Sequence, residues 1–227
     1  LAFVIPSLYA DNDFCAQSHP QQTALLELYT SEGCSSCPPA DRWLSEVVKD
    51  RNLGLNVLAL AFHVDYWDYI GWKDRFASPE YTQRQRTLAN QNQMRTMYTP
   101  GFFINAREAR NTRGMLSRFQ PENQSQSPIT AQLKVSRQNQ QYQVSLNTLK
   151  KPQSGYQLRY VVFENELTSD VTRGENDGRK LTHQQVVRYL SPELPLSTIS
   201  QHSIPINKDW ILPQQGVAAL IYSEDGH

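Results

Sequence analysis

Residues 25–43, LLELYTSEGCSSCPPADRW, limit the possible folds of this chain more than any other stretch. The apolar, β-prone run Ala24, Leu25, Leu26, Leu28 and Tyr29 predicts a buried strand. Glu32 and Gly33 turn the chain into Cys34-Ser35-Ser36-Cys37. After Pro38 and Pro39, Trp43, Leu44, Val47 and Val48 recur at helical spacing. Residues 55–64, LNVLALAFHV, then form an almost unbroken apolar run, the pattern of a parallel strand covered on both faces. Strand, helix and strand make a βαβ unit. A right-handed crossover would bring His63 and Asp65 to the sheet edge that carries the CxxC, where sites in open α/β sheets gather.

Strand, CxxC and helix in this order are the arrangement of thiol–disulfide oxidoreductases of the thioredoxin fold. A helix opening at or just after Cys34 sets that sulfur over unpaired backbone N–H groups and the positive end of the helix dipole. Both favour thiolate, so Cys34 is expected as an accessible attacking sulfur and Cys37 as the resolving one. Pro38 and Pro39 fit a first helical turn. Three plainer readings compete. A structural disulfide closing so short a loop removes little unfolded-state entropy. Half of a zinc site would need Cys15 and a histidine to complete four ligands. The third is a degenerate motif kept as scaffold.

Glu27 lies within the first strand, a carboxylate in low dielectric suited to passing a proton to or from Cys37, or else a strand residue reaching solvent or a backbone donor. Residues 63–81, HVDYWDYIGWKDRFASPEY, interleave aromatics with carboxylates. A segment of this kind is either functional or packed on itself. In the functional reading Trp67 and Trp72 help wall a groove for substrate beside the sulfurs, and His63 and Asp65 manage protons. Ser78-Pro79-Glu80 predicts a helix start, running to about Gln93. Tyr98-Thr99-Pro100 then opens a short strand. Pro100 is expected as a cis proline facing the CxxC, with Thr99 and Tyr98 docking substrate.

The opening LAFVIPSLYA is short, apolar and ends in alanine, as the end of a secretory signal does, with cleavage after Ala10. The alternative is a native edge strand. Export would place the protein in a bacterial periplasm or outside the cell, where a CxxC needs a redox partner. Cys15 is the odd cysteine, expected free or paired between molecules in a polar lead-in. Lys+Arg and Asp+Glu both number 22. A net charge of zero argues against nucleic acid as a partner. No stretch approaches the ~20 apolar residues that a transmembrane segment needs.

GCSSCPPADR (33–42), HVDYWDYIGWKDRFASPEYTQRQR (63–86), YTPGFFIN (98–105) and RGENDGRKLTHQQVVR (173–188) resemble a bacterial family of exported thioredoxin-like proteins of unknown function. The resemblance covers nearly the whole chain after residue 22. It implies a thioredoxin-like domain with a helical insertion followed by a β domain, with Cys34 and Cys37 as the redox pair and Pro100 as the cis proline. It implies no settled activity. Gly33 stands where thioredoxins have Trp, and Ser-Ser where they have Gly-Pro. Ala106 occupies a turn position where glycine is expected.

Past a polar linker at 120–127, segments 129–136, 142–147, 157–165, 185–190, 197–206 and 217–222 alternate in strand fashion, predicting an antiparallel β-sandwich. The loop 173–180, RGENDGRK, reads as a solvated hairpin, or as a partner or metal site through Glu175, Asp177 and His183. The expected fold class is therefore α/β. Residues 1–22 form an N-terminal segment, 23–119 a thioredoxin-like domain with a helical insertion, and 128–227 a small antiparallel β-sandwich. The expected function is an exported thiol–disulfide oxidoreductase without cofactor. Its substrates would be protein or small-molecule thiols and disulfides, and its partner a membrane or periplasmic redox protein. One alternative is a copper- or zinc-handling protein using the CxxC and His63. Another is a binding module with a vestigial CxxC.

Overall fold

The computed structural model of the chain describes residues 2–5, 14–49, 56–110, 125–149 and 155–223. In chain order the first half gives β1 (Ala2–Ile5), β2 (Phe14–Gln17), β3 (Ala24–Thr30), α1 (Pro38–Lys49), β4 (Val57–His63), α2 (Pro79–Gln91), β5 (Gly101–Ile104) and β6 (Arg107–Glu108). The second half gives β7 (Ala131–Gln138), β8 (Gln141–Thr148), β9 (Tyr156–Glu164), β10 (Leu167–Asp170), β11 (Lys180–His183), β12 (Val186–Leu190), β13 (Leu194–Pro195), β14 (Ile199–Pro205) and β15 (Gln215–Ser223).

β3 and β4 lie parallel, in register from Ala24↔Val57 to Thr30↔His63. Strand alternation sends Leu26 and Leu28 to one face, where Ala40 and Leu44 of α1 cover them. The opposite face carries Tyr29 with Leu58, Leu60 and Phe62, and receives Tyr81 and Leu88 of α2. Ser78 caps α2 by accepting the Glu80 N–H at 3.2 Å, with Pro79 in the first position. β5 pairs antiparallel with β3 and turns into β6 through Asn105 and Ala106, both at positive φ (46° and 63°).

The sheet continues past β4. β12 adds to it in parallel, β9 pairs antiparallel with β12, β15 with β9, and β1 with β15. The result is one nine-stranded sheet, β1-β15-β9-β12-β4-β3-β5-β6, with β13 paired to β9. A four-stranded antiparallel sheet, β14-β8-β7-β2, packs on part of it. β10 and β11 form a separate hairpin.

This overturns the expected α/β fold class. The chain does not form a thioredoxin-like domain with a helical insertion followed by a small antiparallel sandwich. It is mostly β, with several sheets and two α-helices among the described residues. The reason lies in β9 and β15. Val162, Val217, Ala219 and Ile221 pack against the four-stranded sheet, while Val161, Phe163, Ala218 and Leu220 pack on the α2 side. Strands apolar on both faces belong inside a large sheet. Burying each such Val, Leu or Phe contributes roughly 1.5–3 kcal/mol, which favours joining the flank of β4 over a sandwich with one solvated face. Phe14–Gln17, expected as lead-in, is strand β2, paired with β7, and carries the exposed Cys15. The expected cleavage point at Ala10 and the linker residues 120–124 lie outside the described residues.

Candidate functional site

Cys34 and Cys37 are joined by a disulfide. The Cys37 N–H donates to the Cys34 carbonyl at 3.2 Å, and the Cys37 carbonyl accepts from Ala40 and Asp41 at 2.8 and 3.1 Å. Cys37 is therefore the residue from which α1 springs, and the helix opens at Pro38, later than the sequence suggested. Proline has no N–H to leave unpaired there. The positive end of the helix accordingly lies nearer Cys37 than Cys34. Both cysteines are buried, Cys34 at 1% and Cys37 at 0% exposure, whereas Ser35 and Ser36 between them are exposed.

A short 3₁₀ turn at Gly174–Asn176 covers the disulfide loop. Glu175 Oε2 accepts from the Ser35 N–H at 3.1 Å. Asn176 Nδ2 donates to the carbonyls of Glu32 at 2.8 Å and Cys34 at 3.0 Å. The loop expected as a solvated hairpin is thus docked on the CxxC. Ile70 fills the seam between the two loops. Its Cδ1 comes 3.2 Å from where a Cβ on Gly33 would sit and 3.3 Å from one on Gly174, which has φ +76°. Trp67 Cβ lies 3.0 Å from the same point at Gly33, so a bulky residue before Cys34 has no room.

Trp67 also ties this loop to the next. Its Nε1–H donates to Thr99 Oγ1 at 2.8 Å, and the Thr99–Pro100 peptide is cis. Tyr98 is partly exposed and donates to Glu108 Oε1 at 2.6 Å, while its carbonyl accepts from Gln85 Nε2 at 2.8 Å. Trp67 therefore stands beside Gly33 at the start of the disulfide loop and is tied to Thr99, while Tyr98 turns towards β6. Trp72 points elsewhere, donating to Glu32 Oε2 at 2.8 Å.

Glu32 belongs to a buried cluster that the sequence did not reveal. His63 Nδ1 lies 2.6 Å from Asp74 Oδ2, and Asp74 also accepts from the N–H groups of Glu32 and Phe76, both at 2.9 Å. His183 Nε2 lies 3.3 Å from Glu32 Oε1, and its Nδ1 lies 3.7 Å from Asp41 Oδ2. The two imidazoles meet edge to face at 4.8 Å. Burial pushes the Asp41 carboxyl above its ordinary value, and the histidine charges offset this only in part. For Glu32, burial raises the carboxyl, but His183, Ser169 and the His63 charge together outweigh it and hold it below its ordinary value. Three carboxylates and two imidazoles share this interior.

Other sequence candidates are placed elsewhere. Glu27 faces α2, opposite to α1, paired through both oxygens with Arg84 at 2.8 and 2.9 Å and accepting from the Tyr29 hydroxyl. It lines a cleft of about 770 Å³ together with Arg84, Tyr156 and Arg159. Asp65 pairs with the Thr82 hydroxyl at 2.5 Å, so the partner of His63 is Asp74. Among the described residues no three His, Cys, Asp or Glu side chains are grouped as metal ligands.

A family model described as a protein of unknown function, DUF1223, matches residues 25–222. The chain belongs to this family. No curated protein matches this DUF1223 protein. A crystal structure of a protein from Agrobacterium tumefaciens matches it with a TM-score of 0.57 at 23% identity, over 90% of this chain and 96% of that one. The structure of HBP35 of Porphyromonas gingivalis matches with a TM-score of 0.55 at 14% identity, over 91% of this chain and 66% of that one. These likenesses concern the fold of the DUF1223 protein.

Proposed function

We propose that this DUF1223 protein is a thiol–disulfide redox protein that cycles Cys34 and Cys37 between disulfide and dithiol. The observation that carries the proposal is the disulfide itself, closed between cysteines three apart at the root of α1. A bridge spanning so few residues constrains the unfolded chain little, so stability is a poor reason for it. Its polar cover of Ser35, Ser36, Glu175 and Asn176 gives it a way to open that apolar packing would not.

The exchange runs in two steps. A client thiolate attacks Cys34 Sγ, the Cys34–Cys37 bond breaks, and Cys37 leaves as a thiolate that takes up a proton. A second client thiol, having lost its proton, attacks the client sulfur of the mixed disulfide and releases Cys34, which is protonated in turn. The client dithiol is oxidised to a disulfide and the protein disulfide reduced to a dithiol. The steps run in reverse when the client holds the disulfide. With Cys34 at 1% exposure, each attack requires the Gly174–Asn176 turn to lift. Trp67 and Thr99 then border the opened groove. An oxidising compartment, periplasmic or extracellular, suits the bridge.

The test is a trapping experiment. A Cys37→Ala variant leaves Cys34 without its resolving partner, so covalent adducts with thiol or disulfide clients should accumulate in the native compartment. Their absence, together with a wild-type bridge inert to dithiothreitol in the native state, would remove the proposal.

A further inference from the structure

We infer that the cleft lined by α2, β3, β9 and β15 binds a small carboxylic acid with an apolar body, its carboxylate held by Arg159. The cleft lies on the face of β3 opposite α1 and the disulfide loop, so the inference does not depend on the redox reading.

The cleft encloses about 770 Å³, within the roughly 300–1,000 Å³ usual for small-molecule sites. Gln83, Arg84, Thr87 and Leu88 line it from one flank of α2, as their spacing of three and four dictates. Leu25, Ile129 and Leu220 add to the apolar wall that Leu88 begins. These side chains suit the body of a ligand and leave its polar end to be recognised elsewhere.

Arg159 supplies that recognition. Strand alternation puts it on the face of Val161, and register sets it opposite Leu220, both of which pack on the α2 side. Its side chain is 14% exposed, yet its Nε is buried with no hydrogen-bond partner among the described residues. Its Nη2 stands 3.8 Å from Glu80 Oε1, too far for a hydrogen bond. Buried polar atoms without partners are rare and call for a reason. The other two arginines of similar burial are satisfied. Arg84 gives two hydrogen bonds to Glu27, and Arg188 gives one to Glu164. In Arg159, Nε and Nη2 form one edge of the guanidinium, and such an edge grips a carboxylate through two parallel hydrogen bonds.

The other charges of the cleft leave this preference in place. Glu27 is taken up by Arg84, while Glu80, Glu193 and Arg107 are exposed, where solvent and salt screen them. Tyr222, two residues beyond Leu220 on the same face, has a buried hydroxyl that faces Glu193 without an aligned hydrogen bond. Burial pushes that phenol up, so it remains a donor. An acceptor is what both groups lack.

The test is calorimetric titration of the intact protein with decanoate and, separately, with decylamine, which has the same chain and the opposite charge. Decanoate should bind saturably and decylamine should not. Arg159→Gln should weaken decanoate at least about tenfold, the share of a hydrogen bond to a charged group. Thr87→Trp, which fills the cleft from the exposed flank of α2, should abolish binding. It also serves where Arg159→Gln does not fold. Equal binding of acid and amine, no saturable binding of decanoate, or an affinity unchanged in either variant would overturn the inference. None of these results bears on exchange at the Cys34–Cys37 bridge.

Discussion

Asn176 donates through one nitrogen to the Cys34 carbonyl at 3.0 Å, across 142 residues of sequence. The same nitrogen reaches the Glu32 carbonyl at 2.8 Å, so a side chain of the second half pins both ends of the turn that leads into the disulfide.

Asn176→Ala should therefore do two things at once. Leaving two buried carbonyls without this donor should destabilise the fold by about 1–3 kcal/mol, measured by urea unfolding. It should also speed reduction of the Cys34–Cys37 bridge by dithiothreitol, because the turn that covers it is no longer anchored. Loss of stability with an unchanged reduction rate would show that this turn does not control access.

The β5–β6 turn makes a prediction of opposite sign. Ala106 is held at φ +63°, a region that an L side chain enters at a cost of roughly 1–2 kcal/mol. Ala106→Gly relieves that cost but frees the unfolded chain, which takes back part of the gain. A net stabilisation of up to about 1 kcal/mol is expected in urea unfolding, and a loss of stability would contradict the turn geometry.

Gly216 should not tolerate even a methyl group. It faces Phe163 across the β9–β15 pair, and an added Cβ would lie 2.2 Å from the ring. Phe163 is buried and packs with Val161 and Leu220, so the ring has little freedom to move away. Gly216→Ala should cost about 1–3 kcal/mol, visible as a lowered unfolding midpoint with an unchanged slope.

His63 and Asp74 predict a pH window. Burial lowers the imidazole, but Asp74, with help from Asp41 and Glu32, outweighs it and raises His63 above 6.5. The folded chain thus binds that proton more tightly, giving stability that is full below pH 6.5 and lost as pH rises through the raised value. Burial raises the Asp74 carboxyl, but the charge and hydrogen bond of His63, together with the Glu32 and Phe76 N–H groups, outweigh it and hold Asp74 below 3.8. Its contribution is present above pH 3.8 and lost as pH falls through the lowered value. Urea unfolding across pH should show a decline upward from pH 6.5 that flattens in Asp74→Asn. That variant should also lose about 3–5 kcal/mol near neutral pH, as when one partner of a buried pair is removed. An Asp74→Asn curve parallel to wild type would exclude the ion pair as its source.

The local elements were legible in the sequence where the pattern was strong. Residues 24–30 and 57–63, the two helices and most strands of the second half emerge close to their predicted places, because period and turn residues encode them. Assembly was not legible in the same way. The segments around Val161 and Ala218 are apolar without alternation, a sign of strands buried on both faces, and treating them as sandwich strands produced the wrong fold class. At the site, the CxxC and the RGEN segment were each visible, but their contact depends on long-range docking that no local spacing records. Asp41 and Asp74 carry no signal of their own, since a lone acid is usually a surface residue, and His183, named with Glu175 and Asp177, lies instead against Glu32 and Asp41. His63 ends β4 as expected, but its carboxylate partner is Asp74 and not Asp65. Asp65 lies nearer in sequence, while the loop leading into α2 delivers Asp74.

The wedge of Ile70 between Gly33 and Gly174 has an evolutionary corollary. One branched side chain fills a fixed volume bounded by two positions that lack any, so the three residues are free to vary only as a set. Relatives that carry alanine at position 33 should have traded the isoleucine for something smaller, and a swap at one site alone should prise both loops apart.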